Sequence, residues 1–175
     1  MSDLEIAGNH FKVSCYSEII SPSDINQYLK ENHPDICLVD AKLITSIRQI
    51  KTAVINTLAL QKSDQMQCKS INLELLRCFS PDGRLNSAFK FCAITETTKS
   101  AIGIILDASK AIPDVPGLGS QVPLNEFFDN HQPDYELINK LYMITDDMRK
   151  IYSYEDIICT TLSIVSSDLV RTHST

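Results

Sequence analysis

Apolar and polar residues follow two different periods along this chain, and the switches between them mark its elements. From His10 to Tyr16, Phe11, Val13 and Cys15 fall on one side and Lys12 and Ser14 on the other, the period of a half-buried strand. Ser21-Pro22-Ser23-Asp24 then opens a short helix through Leu29, with Ser21 as its cap, Pro22 in the first turn and Pro34 as its stop. Ile36 to Val39 reads as a short buried strand that ends at Asp40. Leu43, Ile47, Ile50, Val54 and Leu58 recur at spacings of three and four and predict the longest helix so far. After a polar loop from Gln61 to Ser70, Ile71 to Phe79 alternates like a strand and runs into the turn Ser80-Pro81-Asp82-Gly83.

A helix starting at Asn86 or Ser87 would carry Leu85, Ala88, Phe89 and Phe91 toward the core, and Ala101 to Leu106 is another apolar strand. Residues 107–133 hold four of the seven prolines and two of the five glycines and are expected to form an irregular connection. Helical spacing returns with Leu137, Ile138, Leu141 and Ile144, and a final helix runs from about Tyr154 to Val170. The expected fold is α/β in the broad sense (α+β), a single domain over residues 1–175. It has a mixed or antiparallel sheet of about four strands flanked by helices, with two helices at the C-terminus. A doubly wound parallel sheet is compatible with the alternation, but no strand-to-helix junction carries a glycine-rich phosphate loop.

Composition narrows the function classes. The chain has 175 residues and a net charge of −6, which argues against a free-standing nucleic-acid binder. Its first twenty residues lack the basic start and apolar stretch of a signal peptide, and its apolar runs are too short to span a bilayer, so no membrane partner is expected. The six cysteines form no Cys-x-x-Cys pair and lie far in sequence from the four histidines, so no metal or other cofactor is expected and the thiols read as small core residues. No Walker loop, G-x-S-x-G or H-E-x-x-H occurs. Gly117-Leu118-Gly119-Ser120 reads as a flexible turn, and Asp146-Asp147 as solvated carboxylates rather than an acid/base couple. A cysteine-dependent small-molecule hydrolase or transferase stays open as an alternative, because its members need only meet in space.

Two features stand above this background. Residues 41–69 hold Lys42, Arg48, Lys51, Lys62 and Lys69 against Asp64 alone, a net of +4 in a chain of −6. Arg48, Lys51 and Lys62 project within about 60° of one another on a helix. They form either a solvated helix border or an anion-facing ledge suited to an RNA backbone, with Ser70 and Asn72 beside Lys69 as neutral hydrogen-bonding groups. In the last helix, Ile158, Leu162, Val165 and Leu169 make one stripe, and Ile157, Thr161 and Ile164 widen the apolar arc to about 160°, where a helix on a core needs roughly 100°. The surplus either packs beneath the preceding helix or forms an exposed ridge for a protein partner.

Three blocks carry a family resemblance. They are Ile36-Cys-Leu-Val-Asp-Ala-Lys-Leu-Ile44 with the helix that follows it; Lys69-Ser-Ile-Asn-Leu-Glu-Leu-Leu-Arg-Cys-Phe-Ser-Pro81 continued by Arg84-Leu-Asn-Ser-Ala-Phe-Lys-Phe-Cys-Ala-Ile94; and Glu136-Leu-Ile-Asn-Lys-Leu-Tyr-Met-Ile-Thr-Asp-Asp147. In these the chain resembles the TPRKB family, the small kinase-binding subunit of the KEOPS (EKC) complex. The resemblance implies a non-catalytic subunit that binds the atypical kinase PRPK and, through it, stands apart from the threonylcarbamoyl transferase subunit. It further implies help in recruiting tRNA by its CCA end, residence in nucleus and cytoplasm, and a link to telomere maintenance and transcription. On that reading Ile157, Ile158, Thr161, Ile164 and Val165 are candidate kinase contacts, and Arg48, Lys51, Lys62, Lys69, Ser70 and Asn72 candidate tRNA contacts. A pure protein adaptor that never touches RNA is the remaining alternative.

Overall fold

The structure is a computed structural model and describes residues 1–32 and 35–171, with side chains described to residue 165. Pro34, expected to stop the first helix, the side chain of Leu169 and His173 lie outside the described residues. The chain divides into two compact units, each assembled from two separate segments. The first takes Met1–Lys42 and Cys92–Gln132, the second Leu43–Phe91 and Pro133–Thr175.

The first unit is built on a five-stranded antiparallel sheet. Its strands are β1 (Ser2–Ile6), β2 (Asn9–Tyr16), β3 (Cys37–Asp40), β4 (Ala101–Ile105) and β5 (Gln121–Val122), in the order β1-β2-β4-β3, with β5 also on β2. Antiparallel pairing answers the choice that the sequence left between mixed and antiparallel. β1 and β5 were not visible in the pattern. β1 joins β2 through Ala7-Gly8, where both residues have positive φ (50° and 75°), the requirement of a type I′ hairpin turn. The Asn9 side chain donates to Ile6 O and Ala7 O and secures that turn.

β4 lies between β2 and β3 and is buried along its whole length, so both faces of the sheet are covered at this strand. Gly103 is paired with Ser14 on one side and Leu38 on the other. A Cβ there would stand 2.7 Å from Ser14 Oγ and 2.9 Å from Ile36 Cδ1, so the close approach admits only glycine without a shift. Helix α1 (Pro22–Asn32) sets Ile25 into a core of Tyr16, Ile36, Leu38, Ile94, Ala101, Ile105 and Val115. The expected irregular connection is irregular only in part, since it holds β5 and a helix over Leu124–Asn130.

The second unit is helical. Three residues of 3₁₀ turn, Ala41–Leu43, lead across the boundary, and α2 (Ile47–Lys62) starts four residues later than the Leu43 of the predicted stripe. Ser46 caps α2 by accepting from Gln49 N, and the Gln49 side chain reaches back to accept from Thr45 N, a reciprocal closure of the helix start. Residues 71–79 correct the sequence reading: they are not a strand but α3 (Ile71–Cys78), capped by Ser70. The apparent alternation came from Asn72 and Glu74 between Ile71, Leu73 and Leu75, yet Glu74 is fully buried and bonded to Arg77 one turn on. A polar residue that points inward breaks the assumption behind a period of two.

α4 (Leu85–Phe91) follows, then, after the return of the chain through the first unit and α5 (Leu124–Asn130), α6 (Tyr135–Leu141). α6 stops before Ile144: Met143 turns left-handed (φ 51°), and Ile144 N donates back to Asn139 O. A short helix, α7 (Asp146–Ile151), was not expected as a separate element, and α8 (Tyr154–Arg171) closes the chain. α2 and α8 pack on each other, and Asn56 Nδ2 donates to Leu162 O across that contact.

Candidate functional site

The basic candidates lie in the second unit, on α2 and the segment that joins it to α3. Arg48 is in the first turn of α2, and its Nη1 donates to Asp156 Oδ1 at 2.9 Å while Nε lies 3.8 Å from Glu155 Oε1. Its charge is therefore answered by the acidic first turn of α8, and it ties two helices together rather than extending the ledge. Lys51 is half-buried; Lys62 and Lys69 are exposed. Lys51 and Lys62 are eleven positions apart on α2, about 16 Å along the axis, which exceeds the screening length of roughly 8 Å at physiological salt. The two lysines are thus separate point charges rather than one field.

Ser70 accepts from Leu73 N at 3.3 Å, so its oxygen serves the helix cap, while Asn72 is half-buried. The connection between Lys62 and Ser70 is held at both ends. Ser63 N donates to Ala59 O and Gln65 N to Leu60 O, with Asp64 left-handed (φ 56°). At the other end Glu74 Oε2 accepts from Gln67 N at 3.0 Å and from Cys68 N at 2.8 Å. Burial by itself would raise the Glu74 carboxyl, but the Arg77 guanidinium and the Cys68 N–H outweigh it and hold the group below its ordinary value. Arg77 passes Nη1 on to Gly83 O at 2.8 Å, in a turn that Asp82 braces through Ser80, Ser87 and Arg84 N. The buried Glu74–Arg77 pair was missed in the sequence; a carboxylate and a guanidinium three apart inside a leucine-rich run are its signal.

The apolar candidates are on α8. Ile158 is fully buried and Ile157 nearly so, and Leu162 joins Ile158 on the stripe facing α2. The predicted ridge therefore does not run the length of the helix. Thr161 and Val165 are half-buried, with the Thr161 hydroxyl donating to Ile157 O. Ile164 is the exposed member, at 53%. Further exposed apolar side chains in the same unit went unnoticed in the sequence, among them Met143, Ile151 and Tyr152. Beside them Arg149 lies over the Tyr154 ring at 3.7 Å, and the Tyr135 ring lies 4.6 Å from that of Tyr154. Asp146 and Asp147 are exposed in the first turn of α7, where negative charge suits the helix dipole.

Chemistry that needs an activated group finds little support. Burial pushes the Cys15 thiol up to about 12, and burial together with Glu74 does the same to Cys68. Cys159 is also raised, chiefly by burial, and a thiol so shifted is not a thiolate at neutral pH. Among the described residues no three His, Cys, Asp or Glu side chains gather closely enough to hold a metal ion, and no helix is long and apolar enough to cross a membrane.

Comparison with known proteins points the same way as the three sequence blocks. The EKC/KEOPS complex subunit CGI121 of Candida glabrata is 27% identical over 115 residues, covering 63% of this chain and 66% of that protein. The EKC/KEOPS complex subunit cgi121 of Schizosaccharomyces pombe is 26% identical over 98 residues, 55% of this chain and 56% of that protein. The match thus spans just under two thirds of the first relative and little over half of the second. The family model described as "Kinase binding protein CGI-121" matches residues 16–166, which takes in most of both units, and the chain belongs to that CGI-121 family of kinase-binding proteins.

Proposed function

We propose that this chain is a non-catalytic subunit of an EKC/KEOPS-type complex. It docks on the atypical kinase of that complex through the face of α8 that carries Ile164 and, by way of the kinase, serves the threonylcarbamoyl transferase subunit. It helps bring in tRNA through the lysines around the α2–α3 connection, where the CCA end is the segment they take. The observation that carries the docking role is Ile164: a large apolar side chain left 53% exposed on a helix whose other isoleucines at 157 and 158 are buried, in a family of kinase-binding proteins. Relatives named as subunits of the complex support the assembly, and raised thiol pKa values weigh against the cysteine-enzyme alternative. Work in both nucleus and cytoplasm accords with this role.

Ile164→Glu tests the docking directly. The variant should keep its fold, since the side chain is not core, and lose about 2 kcal/mol or more of affinity for the kinase, the scale of a central contact. Calorimetric titration that returns an unchanged affinity removes α8 as the docking helix. Lys62→Glu with Lys69→Glu tests the RNA role in the assembled complex: tRNA affinity should fall, and the slope of log affinity against log salt should flatten by about 0.7 per lost contact. An unchanged slope would leave a protein adaptor without RNA contact.

A further inference from the structure

A helix the size of α3 has no need of an ion pair in its buried face; apolar side chains there often hold a fold as well or better. Glu74 and Arg77 are 0% and 2% exposed, and what distinguishes them is where their remaining bonds go. Glu74 Oε1 accepts from Arg77 Nε at 3.1 Å and from Arg77 Nη2, while Oε2 leaves the helix and takes the N–H groups of Gln67 and Cys68. Arg77 Nη1 leaves the helix in the other direction, to Gly83 O. The carboxylate therefore fixes the two residues that immediately precede Lys69. The far end of the same connection is fixed by the C-cap of α2 at Ser63.

We propose that Glu74 is a positioning residue for Lys69, holding the backbone at 67–68 so that the ammonium meets an RNA phosphate from a preformed segment. The inference rests on the reading of Lys69 as an RNA contact. A segment already ordered pays no ordering cost when the RNA arrives. Arg77 balances the buried charge and fastens the helix to the next turn, so the pair works as a brace with the Lys69 segment at one end.

The test uses the full chain assembled with its kinase and a tRNA transcript as probe. Glu74→Met with Arg77→Met removes both charges together and leaves apolar side chains of similar length. Helical circular dichroism and kinase affinity should stay as they were, while tRNA affinity falls about tenfold and the salt slope flattens by about 0.7, as for Lys69→Glu alone. Adding Lys69→Glu to the double variant should then cost little more, a non-additivity that a purely structural pair would not produce. Wild-type tRNA affinity in the double variant, or a full Lys69→Glu loss on top of it, overturns the positioning role and leaves the RNA reading intact. A Lys69→Glu change that does nothing in the wild type fails the RNA reading and takes the positioning role with it. Should the double variant not fold, hydrogen exchange on the wild type decides: the Gln67 and Cys68 amides should be protected like those of α3, and exchange at the rate of an open loop overturns the proposal.

Discussion

Gly103 shows what a single absent atom does in this fold. It lies on β4 between Ser14 and Leu38, and the Ser14 hydroxyl donates to its carbonyl at 3.3 Å. Gly103→Ala would set a methyl against Ser14 Oγ and Ile36 Cδ1 in a buried position, an overpacking that should cost about 1–3 kcal/mol in denaturant unfolding. Ser14→Ala in the same chain should restore part of the loss, since it removes the nearer atom. The sequence shows a glycine within an apolar strand and so hints at close approach, but not which neighbours approach. Lys62 and Lys69 were legible as exposed cations from the charge imbalance alone. The pairing of Arg48 with Asp156, 108 residues away, was not, because no local spacing records a partner so distant.

Elements were legible where side-chain direction follows the ordinary rule of apolar inward and polar outward. β4, α1 and α8 follow it. β2 and β3 were placed to within a residue although Ser14 and Asp40 turn inward, so β2 is covered on both faces rather than half-buried. α2, with Gln49 and Thr57 buried, was found but starts four residues after Leu43. α3 does not follow the rule, since Glu74 and Arg77 turn inward as a bonded pair, and the width of the α8 arc could not say that Ile157 and Ile158 are covered while Ile164 is not. β1 was missed because its turn is Ala7-Gly8 rather than Asn-Gly, and alanine carries no turn signal. That choice also leaves a strained residue. Ala7→Asn supplies a side chain tolerated at positive φ and should raise stability by about 0.5–1 kcal/mol, read as a higher thermal midpoint. A midpoint that falls instead would mean the alanine methyl contributes more than its backbone costs.

At the scale of the whole molecule, the chain passes between its two units at 42/43, 91/92 and 132/133, so neither unit is a continuous stretch and no composition shift marks a boundary. Titration should act on the molecule from both ends of the pH range. The carboxyls of Glu74, Asp82, Asp107 and Asp156 are held below their ordinary values of 4.5 and 3.8, so what they contribute is complete above about pH 4.5 and is lost as pH falls through the folded values. Cys15 and Cys68 are raised from 9.0 to about 12, so their contribution is complete below pH 9 and is lost as pH rises through the folded value. Thermal midpoints should therefore form a plateau between about pH 5 and 9 and decline on either side. In Glu74→Gln the acid limb should be shallower, because one of the groups that must take up a proton is gone.

The Tyr135 and Tyr154 rings, tilted 36° to one another with Arg149 over the second, also give the molecule an optical signature of its own. The chain has six tyrosines and no tryptophan, so nothing outshines them at the red edge of the near ultraviolet. Two phenol rings held 4.6 Å apart in a fixed asymmetric setting should dominate the near-ultraviolet dichroism, and that band should vanish if α6 and α8 stay helical but lose their grip on each other. Any tryptophan-bearing partner would then be seen by excitation passing to it from these tyrosines, without a label on either protein.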